Sequence, residues 1–87
     1  MNYELEIKAE ALADLEGLTQ VVRDRIATKI NWLAENFEYI TPQPLTGNLT
    51  FLYKLRVGDY RVLYSFSTEK KIITVHQIGH RRDIYRA

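Results

Sequence analysis

Two hydrophobic periods divide the chain. Tyr3, Leu5 and Ile7 alternate with Glu4, Glu6 and Lys8. Period two marks a half-buried strand, with charges turned outward as on a sheet edge. Ala9 to about Leu18 changes to helical spacing, with Ala9, Leu12 and Ala13 on neighbouring turns and Gly17 or Thr19 as the stop. A longer helix opens at Thr19 or Gln20. In it Val22, Ile26, Ile30, Leu33 and Phe37 recur at spacings of 4, 4, 3 and 4, an apolar stripe. Trp32 lies off that stripe, a place for a core-edge residue or for a partner surface.

Thr41-Pro42-Gln43-Pro44 cannot continue a helix or fill a central strand. Residues 38–50 therefore read as a loop between layers. Tyr53 to Tyr64 then reads as two strands joined by Gly58-Asp59, a two-residue hairpin signal. Pairing around that turn sets Val57 against Tyr60, Arg56 against Arg61, Leu55 against Val62 and Lys54 against Leu63. Tyr53, Leu55, Val57, Tyr60, Val62 and Tyr64 then share an apolar face, and Lys54, Arg56 and Arg61 share the other. Ile72 to Ile78 is a further β-rich segment whose facing the pattern does not assign. Gly79 to Arg86 begins as strand and ends as a turn or tail. The order β-α-α-β-β-β predicts one α+β domain over residues 1–87. An antiparallel sheet carries both N-terminal helices on one face and leaves an open basic face.

Charge sharpens this picture. The net +1 hides a division: residues 1–53 carry four basic and eight acidic side chains, and residues 54–87 carry eight basic and three acidic. The halves thus hold −4 and +5, which suggests a directed polyanion-binding face or a basic sheet surface balancing acidic helices. Like charges directly opposite, as at Arg56 and Arg61, are destabilising unless something relieves them. With no cysteine, disulfides and thiol chemistry are excluded, and a cytoplasmic address is expected. No apolar run approaches the roughly 18 residues of a membrane helix, so no membrane partner is expected. The acidic, alternating N-terminus does not read as a signal peptide.

Two stretches resemble the RelE/ParE toxin superfamily of bacterial type II toxin–antitoxin pairs. They are Tyr53-Lys-Leu-Arg-Val-Gly-Asp-Tyr-Arg-Val-Leu-Tyr64 and Ile78-Gly-His-Arg-Arg-Asp-Ile-Tyr-Arg86, preceded by Pro44-Leu-Thr-Gly47. The likeness is closest to the RelE branch, whose members cut mRNA in the ribosomal A site. The resemblance implies a RelB-like antitoxin, with mRNA and the ribosome as further partners. Residue by residue, Arg61 matches a phosphate-stabilising arginine. Arg81 matches a second active-site arginine, and Tyr85 a C-terminal tyrosine that aligns or activates the attacking hydroxyl. Lys54 and Arg56 match basic positions on the same sheet face. Leu52 departs from the pattern where some RelE-type toxins carry lysine, and His80 stands where some have lysine and others histidine.

Metal-free RNA cleavage needs a base for the ribose 2′-hydroxyl, cations on the phosphoryl oxygens and an acid for the leaving 5′-oxygen. Arginine suits the second task, because a guanidinium stays charged and forks onto phosphate. Lys54 or His80 is the candidate base, and Arg81 or His80 the candidate acid. Arg56, Arg82 and Arg86 are candidate RNA contacts, by general attraction to a polyanion. No cofactor is expected. His76 and His80 would lie roughly 13 Å apart on an extended strand, too far for one metal ion, and His76 reads as a packed or solvent residue. Two other functions compete: a ParE-like inhibitor of DNA gyrase, and a degenerate member that only binds its antitoxin.

Overall fold

The computed structural model describes residues 2–47 and 51–84. Strand β1 (Glu4–Ile7) leads into helices α1 (Ala9–Glu16) and α2 (Gln20–Asn36). A 3-10 turn at Phe37–Tyr39 and the two-residue strand β2 (Gln43–Pro44) follow. The chain then runs through β3 (Tyr53–Val57), β4 (Tyr60–Ser67) and β5 (Ile72–His80). The five strands form one sheet in the order β1-β5-β4-β3-β2.

Local chemistry accounts for the helix bounds. Gly17 closes α1, its N–H donating to the carbonyls of Ala13 and Asp14. Thr19 caps α2, its Oγ1 accepting from Val22 N at 3.5 Å. The apolar stripe of α2 faces the sheet, where Ile26, Ile30 and Leu33 are buried. Two neighbouring clusters fill this layer. Phe37 centres one, its ring 4.8 Å from Tyr3 and 4.7 Å from Phe66. Ile26, Ile30, Val62, Val75 and Ile78 make the other. Truncating any of these aliphatic chains to alanine should cost about 2–5 kcal/mol.

The hairpin has the expected register, with Arg56 opposite Arg61 and Lys54 opposite Leu63. Gly58 sits at φ +59 while Asp59 keeps a negative φ, the sign pattern of a II′ turn. Two features go beyond the expected antiparallel sheet. β1 pairs with β5 in parallel, which the long crossover through both helices permits. The segment read as a loop contributes β2, a short edge that pairs only with Tyr53 and Lys54. Proline is tolerated there because an edge strand has one side unpaired.

β5 resisted assignment for a physical reason. Leu63 pairs with Gln77 and Tyr64 with Val75, so His76 is an extra residue in β5. The bulge breaks the two-residue alternation: Ile73, Val75 and Ile78 are all buried on the helix side. Just beyond it, the Asp14 carboxylate accepts from Ile78 N at 3.0 Å and pins α1 to the strand.

The face away from the helices is not bare. Leu45, Leu52, Leu63 and Ile84 form a small third cluster there. Residues 81–84 fold back after β5, with Ile84 N donating to His80 O at 3.0 Å. Ile84 then lies over Gly79, where an added Cβ would meet its Cδ1 at 3.4 Å.

Candidate active site

Strand register fixes the centre of the site. Lys54, Arg56 and Arg61 stand on the face opposite the helices, on adjacent strands beside the II′ turn. Arg56 is exposed and Lys54 half-buried. Arg61 is only 6% exposed, and its Cα partner across β5 is Gly79, the residue that Ile84 covers. Its Nη1 donates to the carbonyls of Gly58 at 2.9 Å and Tyr60 at 2.8 Å. Among the described residues, no carboxylate pairs with this guanidinium. The two tethers hold the plane of the group and leave Nε and Nη2, the edge that makes a two-pronged contact with a phosphate.

Arg81 joins the same end of the sheet. Its N–H donates to Asp59 O at 2.8 Å, which anchors the residue after β5 to the hairpin turn. Its Nε lies 3.9 Å from Asp59 Oδ1, a loose and exposed contact that contributes little to stability. Asp59 is therefore the one carboxylate, among the described residues, in ion-pairing distance of the candidate cations.

His80 is placed elsewhere. It pairs with Tyr60, on the helix side of the sheet. Its ring meets Tyr60 edge-on at 5.6 Å, and its Nδ1 accepts from Arg82 N at 3.2 Å. The sheet therefore separates His80 from the face of Lys54 and Arg61. The sequence did not reveal this, because the facing of β5 depends on its register with β4. Arg82 is exposed on the turn. Tyr85 and Arg86 lie outside the described residues.

Leu52 is 6% exposed within the third cluster. Leu52 is thus apolar support for the turn that bears Arg81. Among the described residues, no group of three or more His, Cys, Asp or Glu side chains is arranged to hold a metal ion. No helix among them is long and apolar enough to cross a membrane.

A groove runs along the other side of β3, between that strand and α2. Its larger part has a volume of about 680 Å3 and is bordered by Val21, Arg25, Trp32 and Val57. A smaller part, of about 240 Å3, continues past Trp32 to Ile40 and Lys54. Trp32 is 40% exposed, with Lys29 Nζ 3.7 Å from its ring centroid. Lys29 and Arg56 border both parts.

A two-helix, mostly antiparallel domain with cations gathered at one hairpin is the architecture of a small toxin of the RelE type. Residues 5–85 match the family of ParE toxins of type II toxin–antitoxin systems, parDE, and the chain belongs to that family. It is 27% identical over 88 residues to a RelE-like toxin protein of Escherichia coli, covering 98% of this chain and 92% of the relative. The archaeal RelE of the RelE–RelB complex from Pyrococcus horikoshii is 27% identical, with a TM-score of 0.74 and full coverage of both chains, 100% each. E. coli RelE, solved free as a double arginine-to-alanine variant, is 28% identical with a TM-score of 0.75, over 97% of this chain and 88% of that one. The toxin–antitoxin complex RelBE2 from Mycobacterium tuberculosis shares the fold at a TM-score of 0.83 and 23% identity, covering 95% of each chain.

Proposed function

We propose that this toxin is a ribosome-dependent, metal-independent endoribonuclease that cuts mRNA in the A site and arrests translation. The observation that carries the reading is Arg61: a nearly buried guanidinium, held by two backbone carbonyls and lacking a carboxylate partner among the described residues. A buried cation without a counter-charge is costly, and a bound phosphate would relieve that cost. Lys54 and Arg56 on the same face, and Arg81 at the turn, add positive charge around one point.

In this mechanism the substrate 2′-oxygen attacks the adjacent phosphorus and the bond to the 5′-oxygen breaks. A cyclic phosphate and a free 5′-hydroxyl result. Lys54 is the group on this face placed to take the 2′-hydroxyl proton, since His80 stands across the sheet. Arg61 holds the phosphoryl oxygens, and Arg81 gives the leaving 5′-oxygen its proton, which water then restores to Arg81. Tyr85 aligns the hydroxyl, a role implied by its match to the family. Arg56, Arg82 and Arg86 contribute general attraction to RNA.

A RelB-type antitoxin neutralises the toxin, and the groove along α2 is its docking surface. Exposed Trp32 and Val21 offer apolar anchors, and Arg25, Lys29 and Arg56, which outnumber the one lining carboxylate at Asp24, favour an acidic partner. Induction in bacterial cells separates the nuclease from a gyrase inhibitor. Accumulation of cut mRNA with intact DNA is expected, whereas broken DNA with intact mRNA would reject the nuclease.

A further inference from the structure

A second polar surface lies on the same sheet face as Arg61. Strand pairing aligns Glu6, Thr74 and Ser65 in one row across β1, β5 and β4. Ile72 and Ser67 form the next row. Together with Lys70 these side chains line a depression of about 260 Å3. Ser65 is four residues along β4 from Arg61, roughly 13 Å at about 3.3 Å per residue.

One side chain of the depression, Ser65, is held from behind by a residue outside the lining. His76 is the extra residue of the β5 bulge, a device that re-aims a side chain. Its Nε2 lies 2.7 Å from Ser65 Oγ. Burial holds the imidazole below its ordinary titration range, Lys8 adds to that effect and Glu10 opposes it. A neutral ring and a hydroxyl are thus fixed against each other beside the row.

The chemistry of this row differs from that of the arginine end. Hydroxyls from Ser65, Ser67 and Thr74 can donate or accept, and Glu6 only accepts when ionised. A phosphate would meet repulsion from Glu6. A nucleobase edge would meet donors and acceptors, an apolar contact in Ile72 and a cation for its own phosphate in Lys70. Single-stranded RNA is read in this way, through bases splayed onto a protein surface.

We infer that this depression is a nucleobase subsite for a nucleotide neighbouring the phosphate held at Arg61, and this rests on the nuclease reading above. Glu6 accepts from an exocyclic amine, as carboxylates do from cytosine N4. The subsite therefore favours cytosine or adenine over uracil, which has no such amine. No spacing in the sequence links Glu6, Ser65 and Thr74; only strand pairing brings them together, and His76 alone reads as a packed or solvent residue.

The test follows backbone amides and the His76 ring by NMR while the full chain is titrated with 2′-fluoro tetranucleotides, which lack the attacking hydroxyl. Cytosine and uracil tetranucleotides are compared, with wild type, Glu6→Ala and Thr74→Val. Shifts at Ser65, Ser67, Thr74 and His76, at least threefold tighter binding of the cytosine series, and loss of that preference in Glu6→Ala are expected. Shifts confined to residues around Lys54, Arg56, Arg61 and Arg81, equal for both series, would overturn the subsite and leave the nuclease standing. No shift anywhere would overturn the subsite, while the ribosome-dependent nuclease is judged separately by cleavage in a translation extract.

Discussion

Single side chains set what this site tolerates. Leu52 occupies a position that is lysine in some related toxins, yet here it packs with Leu45, Leu63 and Ile84 under the turn that carries Arg81. Leu52→Lys should lower stability by about 2–4 kcal/mol, from lost packing and a strained charge. It should not raise activity, because the turn loses its support; urea denaturation and a cleavage assay on the same preparation check both. His76 gives a pH signature. Its folded titration range is depressed, first by burial and then by Lys8. The unfolded chain therefore binds the proton more readily, so stability is complete above the ordinary imidazole value of about 6.5. It declines as pH falls from there through the folded value. Urea midpoints between pH 5 and 8 should show this decline in wild type and lose it in His76→Gln.

At the scale of elements, the β3–β4 hairpin organises the cations, and its turn organises the hairpin. Gly58 at φ +59 is the position that a Cβ penalises. Gly58→Ala should cost about 1–2 kcal/mol and loosen Arg61, whose Nη1 bonds to Gly58 O. A fall in cleavage larger than the fraction of protein unfolded would show that the turn positions the guanidinium. This hairpin was the most legible part of the sequence, because a two-residue turn and a period of two leave one register. The buried stripe of α2 was legible for the same reason, with a period of 3.6. β5 was not, since the bulge at His76 breaks its alternation. The side on which His80 lies depends on that strand's register, so sequence grouped His80 with Lys54 and Arg61 while the fold sets it against Tyr60. β2 escaped notice because two residues containing a proline carry no strand signal.

Across the whole molecule, the charge division seen in sequence becomes a gradient over one sheet face. Lys54 and Arg56 on β3 mark its basic side, and Glu4 and Glu6 on β1 its acidic edge. A phosphate backbone would be drawn to the first and held off the second, which under the nuclease reading leads the phosphates to Arg61 while a base can still reach the Glu6 row. The parallel closure by β1 creates that edge. Sequence could identify β1 as a strand, but its pairing partner is more than sixty residues away and only tertiary packing selects it. The most direct test of the nuclease reading is primer extension on a reporter mRNA in a bacterial translation extract, comparing wild type with Lys54→Ala, Arg61→Ala and Arg81→Ala. Ribosome-dependent cuts within codons are predicted for wild type, reduced roughly 100-fold or more when Arg61 or Lys54 is removed. Intact mRNA with wild-type protein, or undiminished cutting by Arg61→Ala, would contradict the account.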